Sequence, residues 1–477
     1  MEKMGIPAVG IGTDIFALTM MGAAEAHGFP YLRMSFLPQP TSGQPEALIL
    51  EKVLGNDPVS GNPFLEQIYD QLTQPLSEEE SYSGMMPEYV PPRLLEPDTA
   101  ENLEAFFYDQ GWTDGLPIIL PTEERVAAMI AGSNRYPDEY VGQMQTNPVY
   151  PPLTYDVERV AVNAVMAGAK PEHFPVILAL AASCDTGLFS STNSWSRMVV
   201  VNGPIAREIG MSGGLGGIGP FNSSNAVIGR AFTIMSKNLG YAVPGVTYMG
   251  SQGNNLDYNH ATFCENEGLL PEGWDPFHVV KGFKKDESVV SIFAGLHMRQ
   301  TNRDGWEPLG YQTGAGASYA RMAEMSQHPG PVVQLACTLL IDPLVAQNLA
   351  RSYPTRQAFM AYLHDNAYYN QSEFFRSYPS YRAKAMQGDQ PYAEWLASPS
   401  NTRVPVLKYR LENGYGEPEV PFRIPALNVV VLGGGTNAYT WMTNFGLREI
   451  VGIDQFRPET EWAPIKGPDQ YPYIPGY

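Results

Sequence analysis

The chain has 477 residues and a formal net charge of -20, from 30 Lys and Arg against 50 Asp and Glu, a balance that excludes non-specific attachment to nucleic acid or to anionic membrane surfaces. No apolar run reaches the roughly 18 residues of a membrane helix, and the N-terminus lacks the basic-then-apolar order of a signal peptide. Cys184, Cys264 and Cys337 form no CxxC pair and no disulfide framework, so a reducing cytoplasm is expected.

Residues 5–38 read as one βαβ unit: an apolar strand over 6–12, a Thr13-Asp14 cap, helical spacing over 16–26 ending at Gly28, and a second strand over 31–37. Two parallel strands and one helix cannot bury both faces of a sheet. Residues 1–40 are therefore expected to be a partial α/β unit that takes further strands from elsewhere in this chain or from another. Residues 41–98 read as a Pro-rich, acidic linker with weak helices over 45–53 and 63–76. A main α/β domain is expected over 99–454 and a Pro-rich tail, laid over a surface or a neighbour, over 455–477. Length alone predicts two or three domains.

Within the main domain, Thr99 caps a helix running to Gln110, with Asn102 in place of the acidic residue of a full capping box. The turn GWTDGLP (111–117) follows, then helices over 122–131, 156–168 and 171–182. A β-branched run at 199–201 ends at Asn202-Gly203, and a short helical turn starts at Pro204. Five glycines lie between 211 and 220, and Asn222, Ser223 and Asn225 open a helix that runs to about Gly240. Residues 248–267 read as irregular and polar. A strand over 331–341, helices over 343–351 and 355–367, an irregular Tyr/Ser/Pro-rich stretch over 368–425 and a last clear strand over 426–432 complete the domain. No internal repeat is visible. Alternating strands and helices with glycine loops at strand ends indicate an α/β fold, in which ligands gather outside the carboxyl ends of strands.

Strand, glycine loop and polar helix start together place backbone N–H groups at the positive end of a helix, where an anion can sit. The loop matches neither GxGxxG in a first βαβ unit nor GxxxxGK[ST], so a standard nucleotide site is not expected. Glycine serves equally a tight crossing over other backbone. As a binding loop it would use Asn202, Gly203, Ser212, Gly213, Gly214, Gly216, Gly217, Asn222, Ser223, Asn225 and Arg230, with Arg207 clamping a carboxylate. Gly434, Gly435, Thr436 and Asn437 repeat the pattern after the last strand, and a plain turn fits them as well. Asp114 is either a turn former or an acid/base group. Cys264 lies among His260, Glu265 and Glu267, but H-x3-C-E-x-E matches no strong metal pattern, so no metal site is expected. Asp114, Cys264 and Glu265 are the catalytic candidates. No cofactor is indicated.

Several segments taken together resemble the UGSC family of (seleno)proteins, named for a Sec/Cys-Gly-Ser-Cys motif: MEKMGIPAVGIGTDIFALTMMGAAEAHGFP, GWTDGLPIILPTEERVAAMIAG, VERVAVNAVMAGAKPEHFPVILA, VNGPIAREIGMSGG, NAVIGRAF, FCENE and FHVVKGF. The resemblance covers most of residues 1–290 and, more loosely, 330–440. It implies a flavodoxin-like N-terminal unit and thiol or selenol chemistry. The name-giving motif sits upstream of the segment with which this chain begins, and neither UGSC nor CGSC occurs here. The resemblance thus implies that a small partner subunit supplies the missing strands and a reactive Cys or Sec, or else that the gene start is truncated. The expectation is a cytoplasmic, oligomeric enzyme subunit of redox or lyase/transferase type, binding a small anionic or carbonyl substrate in a glycine-rich pocket. The alternative is a non-catalytic binding or scaffold subunit.

Overall fold

The computed structural model describes residues 6–81, 84, 93–300, 337–413 and 427–471. Strands β1 (Gly10–Thr13) and β2 (Met34–Leu37) pair in parallel, joined by α1 (Ala17–Ala26). Helices α2 (Glu46–Leu54) and α3 (Phe64–Thr73) follow, as the weak helical signals predict. They belong to this unit rather than to a free linker: Phe64 is buried, Asp57 Oδ2 accepts from the Phe36 N–H at 2.8 Å, and the Gln71 amide donates to the Met34 carbonyl. Among the described residues no third strand joins β1 and β2, and Ile11, Ile15 and Leu18 stay exposed. The unit is tied to the main body where Tyr150 Oη donates to the Thr19 carbonyl and His27 Nε2 to the Val149 carbonyl.

Thr99, read as a cap, does what its chemistry dictates, and so do the residues at three other expected helix starts, whereas Thr13, also read as a cap, makes no side-chain capping bond and Asp14 Oδ1 accepts from the Ile15 and Gln39 N–H groups. Thr99, Thr122, Asp156 and Asn222 each accept from the N–H three residues on. They start α4 (Ala100–Asp109), α5 (Glu123–Ile130), α6 (Val157–Met166) and, further along, the long helix over Ser223–Asn238. Between α5 and α6 runs the hairpin of β3 (Tyr140–Met144) and β4 (Leu153–Asp156). After α7 (Phe174–Ala182) come β5 (Ser196–Asn202), the short α8 (Pro204–Glu208) and α9 (Ser223–Asn238). Next are β6 (Ala261–Cys264), α10 (Phe277–Val280), β7 (Val289–Gly295) and β8 (Met298–Gln300). The described chain resumes with β9 (Cys337–Ile341), α11 (Pro343–Ala350) and α12 (Arg356–Asn366), and later β12 (Leu427–Val431), β13 (Thr440–Thr443) and β14 (Gly446–Gly452).

Two four-stranded sheets form, in the orders β14-β7-β5-β6 and β12-β9-β13-β8. They stack face to face, with Met198, Val200, Phe263, Phe293, Leu340, Val430 and Phe445 in one core between them. The outer face of the first sheet (Val199, Val201, Val290, Ile292) packs on α6, α7 and α9. That of the second (Leu339, Ile341, Val429, Val431) packs on α11 and α12. The result is four layers: helices, sheet, sheet, helices. Burial on both faces explains why MVVV and NVVV read as unbroken apolar runs.

The two sheets share one topology, although no sequence repeat announces it. In each, a parallel pair (β5 with β6, β9 with β12) is extended by an antiparallel strand (β7, β13). In each, the outermost strand comes from the other half: β14 follows β13 but pairs with β7, and β8 follows β7 but pairs with β13.

Four expectations are corrected. Residues 248–267 are not wholly irregular, since β6 lies there; Pro, Gly and Asn around it mask a four-residue strand. Strands β13 and β14 follow the one expected to be last. Strands β7 and β8 were not foreseen. Residues 368–425, as far as 413, hold β10 (Tyr369–Asn370), α13 (Gln371–Ser377), α14 (Pro379–Met386), α15 (Tyr392–Ala397), β11 (Arg403–Val404) and α16 (Val406–Asn413). Their core is aromatic, Phe374 with Tyr369, Tyr378, Tyr381 and Trp395, and helices this short carry too few turns to show a period. Residues 1–5, 331–336, 414–426 and 472–477 lie outside the described residues, as do 82–83 and 85–92 of the expected linker. The described part of the tail does lie over the main body: Asn134 and Arg135 donate to the carbonyls of Gln455, Thr460 and Ala463.

Candidate functional site

The parallel pairs β5/β6 and β9/β12 end at one rim of the sandwich. There the Asn266 N–H donates to the Val431 carbonyl (2.9 Å), and the Gly433 N–H donates to the Gly213 carbonyl (2.9 Å). Asn266 Nδ2 reaches the Gly433 carbonyl at 2.8 Å. Glycine loops 211–220 and 433–437 therefore meet each other and the end of β6. Carboxyl ends of parallel strands are where α/β sheets bind ligands.

Glu265 is the hub of this rim. Its carboxylate accepts from Asn202 Nδ2 (2.9 Å), the Phe277 N–H (2.6 Å) and the Val431 N–H (3.1 Å), and pairs with Arg356 Nη1 at 2.7 Å, both side chains fully buried. It ties β5, α10, β12 and α12 together. Glu267, next along, accepts from Asn202 Nδ2 (2.9 Å) and the Gly203 N–H (2.8 Å) through Oε1. Its side chain is 23% exposed, with His278 Nδ1 behind it at 3.8 Å. Burial lowers the pKa of His278, while the Glu267 and Glu265 carboxylates pull it the other way. Asp342 caps α11 and accepts from the Gly435 N–H at 3.2 Å.

The remaining expected residues divide by what they touch. Gly213 is a close crossing: a Cβ there would stand 1.9 Å from the Cys264 carbonyl oxygen. A Cβ on Gly203 would stand 2.3 Å from the Glu287 oxygen, and one on Gly217 2.9 Å from Leu432 Cδ1. Asn225 shapes the loop by accepting from the Ser212 N–H and donating to the Ser212 and Gly217 carbonyls; Asn222 donates to the Gly210 carbonyl. Gly214, Gly216, Ser223, Gly434, Thr436 and Asn437 are exposed or half-exposed, as is Arg207 on α8. Leu215 and Phe221 beside them are 73% and 82% exposed.

Asp114 and Arg230 hold each other. Arg230 Nε and Nη2 grip the two carboxylate oxygens at 2.7 and 2.8 Å, and Arg230 also reaches the Pro117 carbonyl. Arg230 lies two turns into α9, roughly 10 Å along it from the glycine loop. The pair anchors the GWTDGLP turn on α9. Replacing Arg230 with Met is expected to cost about 1–3 kcal/mol, because Asp114 is then left with its charge uncompensated in a largely closed site. Thermal unfolding of the variant measures it.

Cys264 is buried, and its thiol is pushed up to about 12 by burial and by the Glu267 and Glu265 carboxylates. It is thus a protonated thiol at neutral pH. Iodoacetamide at pH 8 is expected to leave Cys264 unlabelled in the folded chain and to label it after denaturation, read by peptide mass spectrometry. Burial also raises Cys184. Among the described residues, no three His, Cys, Asp or Glu side chains are placed to hold a metal ion.

A second polar cluster lies under the first sheet. His260, at φ 50°, contacts Ser196 Oγ at 3.5 Å and Thr233 Oγ1 at 3.3 Å, with Asp257 4.0 Å away. Arg197, beside them, grips Asp185 at 2.7 and 2.9 Å. Burial pushes Asp257 up to about 7 and His260 down to about 3. A carboxyl raised in the folded state stabilises fully below the ordinary carboxylate range, and that stability is lost as pH rises through about 7. His260 acts oppositely, losing stability as pH falls from its ordinary value toward 3. Asp257→Asn is therefore expected to raise Tm over the parent by a small margin at pH 5 and by a larger one at pH 8. Parallel Tm measurements at the two pH values check this; a difference that does not grow with pH contradicts it.

Among the described residues, no helix is long and apolar enough to cross a membrane. No family model, curated protein or solved structure matches the chain.

Proposed function

We propose that this α/β chain is an enzyme subunit that takes a small anionic or carbonyl substrate at the rim where the four strand ends meet. The observation that carries the reading is the arrangement at Asn202. One amide and the Gly203 N–H hold a partly exposed Glu267 in place, and a buried imidazole stands behind it. A carboxylate so fixed can take or return a proton at a bound substrate. Glu267 fits that role better than Asp114, whose oxygens are held by Arg230, or Glu265, whose oxygens carry four partners. The loops over 211–220 and 433–437 would line the entrance. The reactive thiol or selenol would come from a small partner subunit, for which the unextended β1/β2 sheet and its exposed Ile11, Ile15 and Leu18 offer a place. A cytoplasmic, oligomeric enzyme of redox or lyase/transferase type fits this arrangement.

Purification of the native chain under non-denaturing conditions, followed by iodoacetamide labelling, tests the reading. The expected result is a small companion with an alkylated Cys or Sec and turnover that falls by about 10²–10⁴ in Glu267→Gln. A stable, monodisperse chain with no thiol- or selenol-bearing companion removes the partnership. The scaffold reading is favoured by one observation, the packing of Gly203 and Gly213 against backbone; it requires full activity of the assembly in Glu267→Gln.

A further inference from the structure

Behind Glu265 lie two buried cations whose donors are not all used. Arg356 is fully buried. Its Nη1 serves Glu265 (2.7 Å) and the Val429 carbonyl (2.8 Å), while among the described residues Nε and Nη2 have no hydrogen-bond partner. Lys281 is also fully buried, and among the described residues its Nζ has no hydrogen-bond partner; it lies 5.4 Å from the centre of the Phe277 ring. Burial, reinforced by the nearby Arg356 charge, pushes Lys281 down to about 8, so it is mostly protonated at neutral pH. Glu265 cancels one of the two positive charges and leaves the other uncompensated. Unpaired buried charge is strongly unfavourable, and such groups cluster where ligands complete them.

The chain itself shows what fits the unused edge of Arg356. Arg33, Arg197 and Arg230 each present Nε and Nη2 to both oxygens of one carboxylate, Glu80, Asp185 and Asp114 respectively, at 2.7 to 2.9 Å. Arg356 has the same edge unfilled, with Trp274 stacked 5.9 Å from its guanidinium carbon. Such a planar fork suits an oxyanion with two oxygens on one edge, and the groups that fill it elsewhere in this chain are carboxylates.

We infer that Arg356 and Lys281 form an internal binding site for a carboxylate monoanion, with the Arg356 fork on its two oxygens and the Lys281 ammonium as the second contact. Phe277 and Trp274 supply apolar walls, and Glu265 joins this site to the Asn202–Glu267 rim through a single carboxylate. Lys281 directly follows α10, a four-residue helix whose first N–H, that of Phe277, is held by Glu265. The inference names the substrate class of the proposed enzyme, and it rests on that reading only for treating the anion as a substrate; binding is tested apart from turnover.

Tm of the full chain is measured in sodium acetate, sodium sulfate and acetamide against sodium chloride at equal ionic strength, and repeated for Lys281→Met and Arg356→Lys. A ligand that binds only the folded state raises Tm by mass action. The expected result is a saturable rise with acetate beyond chloride, none with acetamide, and loss of the rise in both variants. Lys281→Met should be at least as stable as the parent in chloride, because it removes an unpaired ammonium and keeps the side-chain volume. An acetate rise equal to that in chloride, a rise retained in both variants, or a rise with sulfate but not acetate overturns the site. Glu267→Gln separates the two proposals: it should keep the acetate rise, and if it also keeps full turnover, the proposed enzyme role fails while the anion site stands.

Discussion

Glu265→Gln is expected to destabilise the folded chain by about 3–5 kcal/mol, the largest effect of any single substitution at the rim. The side chain keeps its size, so the loss is one of charge and of accepting capacity. A carboxylate accepts at both oxygens, and here all its partners are donors: the Asn202 amide, the Phe277 and Val431 N–H groups and Arg356. Glutamine must turn an NH₂ toward one of them. It also leaves Arg356 buried with no counter-charge. Arg356→Met should cost less, because Glu265 keeps three N–H donors. The double variant should fall by less than the sum of the singles, since each removes a partner of the other. Chemical denaturation of all three chains measures this; an Arg356→Met cost equal to or above that of Glu265→Gln would show that the brace does not work through the carboxylate.

Gly213→Ala should be damaging to a lesser degree, and Gly214→Ala nearly silent. At 213 the new methyl meets the Cys264 carbonyl oxygen at 1.9 Å and the Asn266 nitrogen at 2.9 Å; at 214 its nearest neighbour is Ser212 Oγ at 3.8 Å. Backbone cannot step aside as a flexible side chain can. The loop must lift from the end of β6 and give up the bond from the Gly433 N–H to the Gly213 carbonyl. Overpacking of this kind costs about 1–3 kcal/mol, while Gly214→Ala should stay within about 0.5 kcal/mol. Tm and the yield of soluble folded protein read both. Equal behaviour of the two variants would mean that the glycines serve something other than this crossing.

How much was legible follows from where the signals are local. Thr99, Thr122, Asp156 and Asn222 announce helix starts because a cap is formed within three residues of itself. The runs at 199–201 and 427–431 announce buried strands for the same reason. Four-residue β6, three-residue β8 and the short helices after Tyr369 carry no period, so only their partners define them. At the site, Asn202, Gly213, Glu265 and the 433–437 loop were named from the sequence and do meet. Glu267 was seen only as a neighbour of Cys264. Lys281 and Arg356 were not singled out, since a lone basic residue after an apolar turn looks like any other until its surroundings are known. The FHVVKGF segment that carries His278 and Lys281 was visible only as part of a family resemblance.

By itself the sequence determined the acidic surface, the α/β class, the helix caps and the placing of glycine loops at strand ends, because each depends on residues within a turn or two of one another. Tertiary structure alone decided that two halves without sequence repetition build the same sheet and exchange their outer strands. It also decided that Asp114 belongs to Arg230, that Glu265 belongs to Arg356, and that Lys281 is enclosed. Pairing across 91 positions, as between Glu265 and Arg356, leaves no trace in spacing. Charge and hydrogen-bond partners in a core are chosen by which surfaces the packed layers bring together.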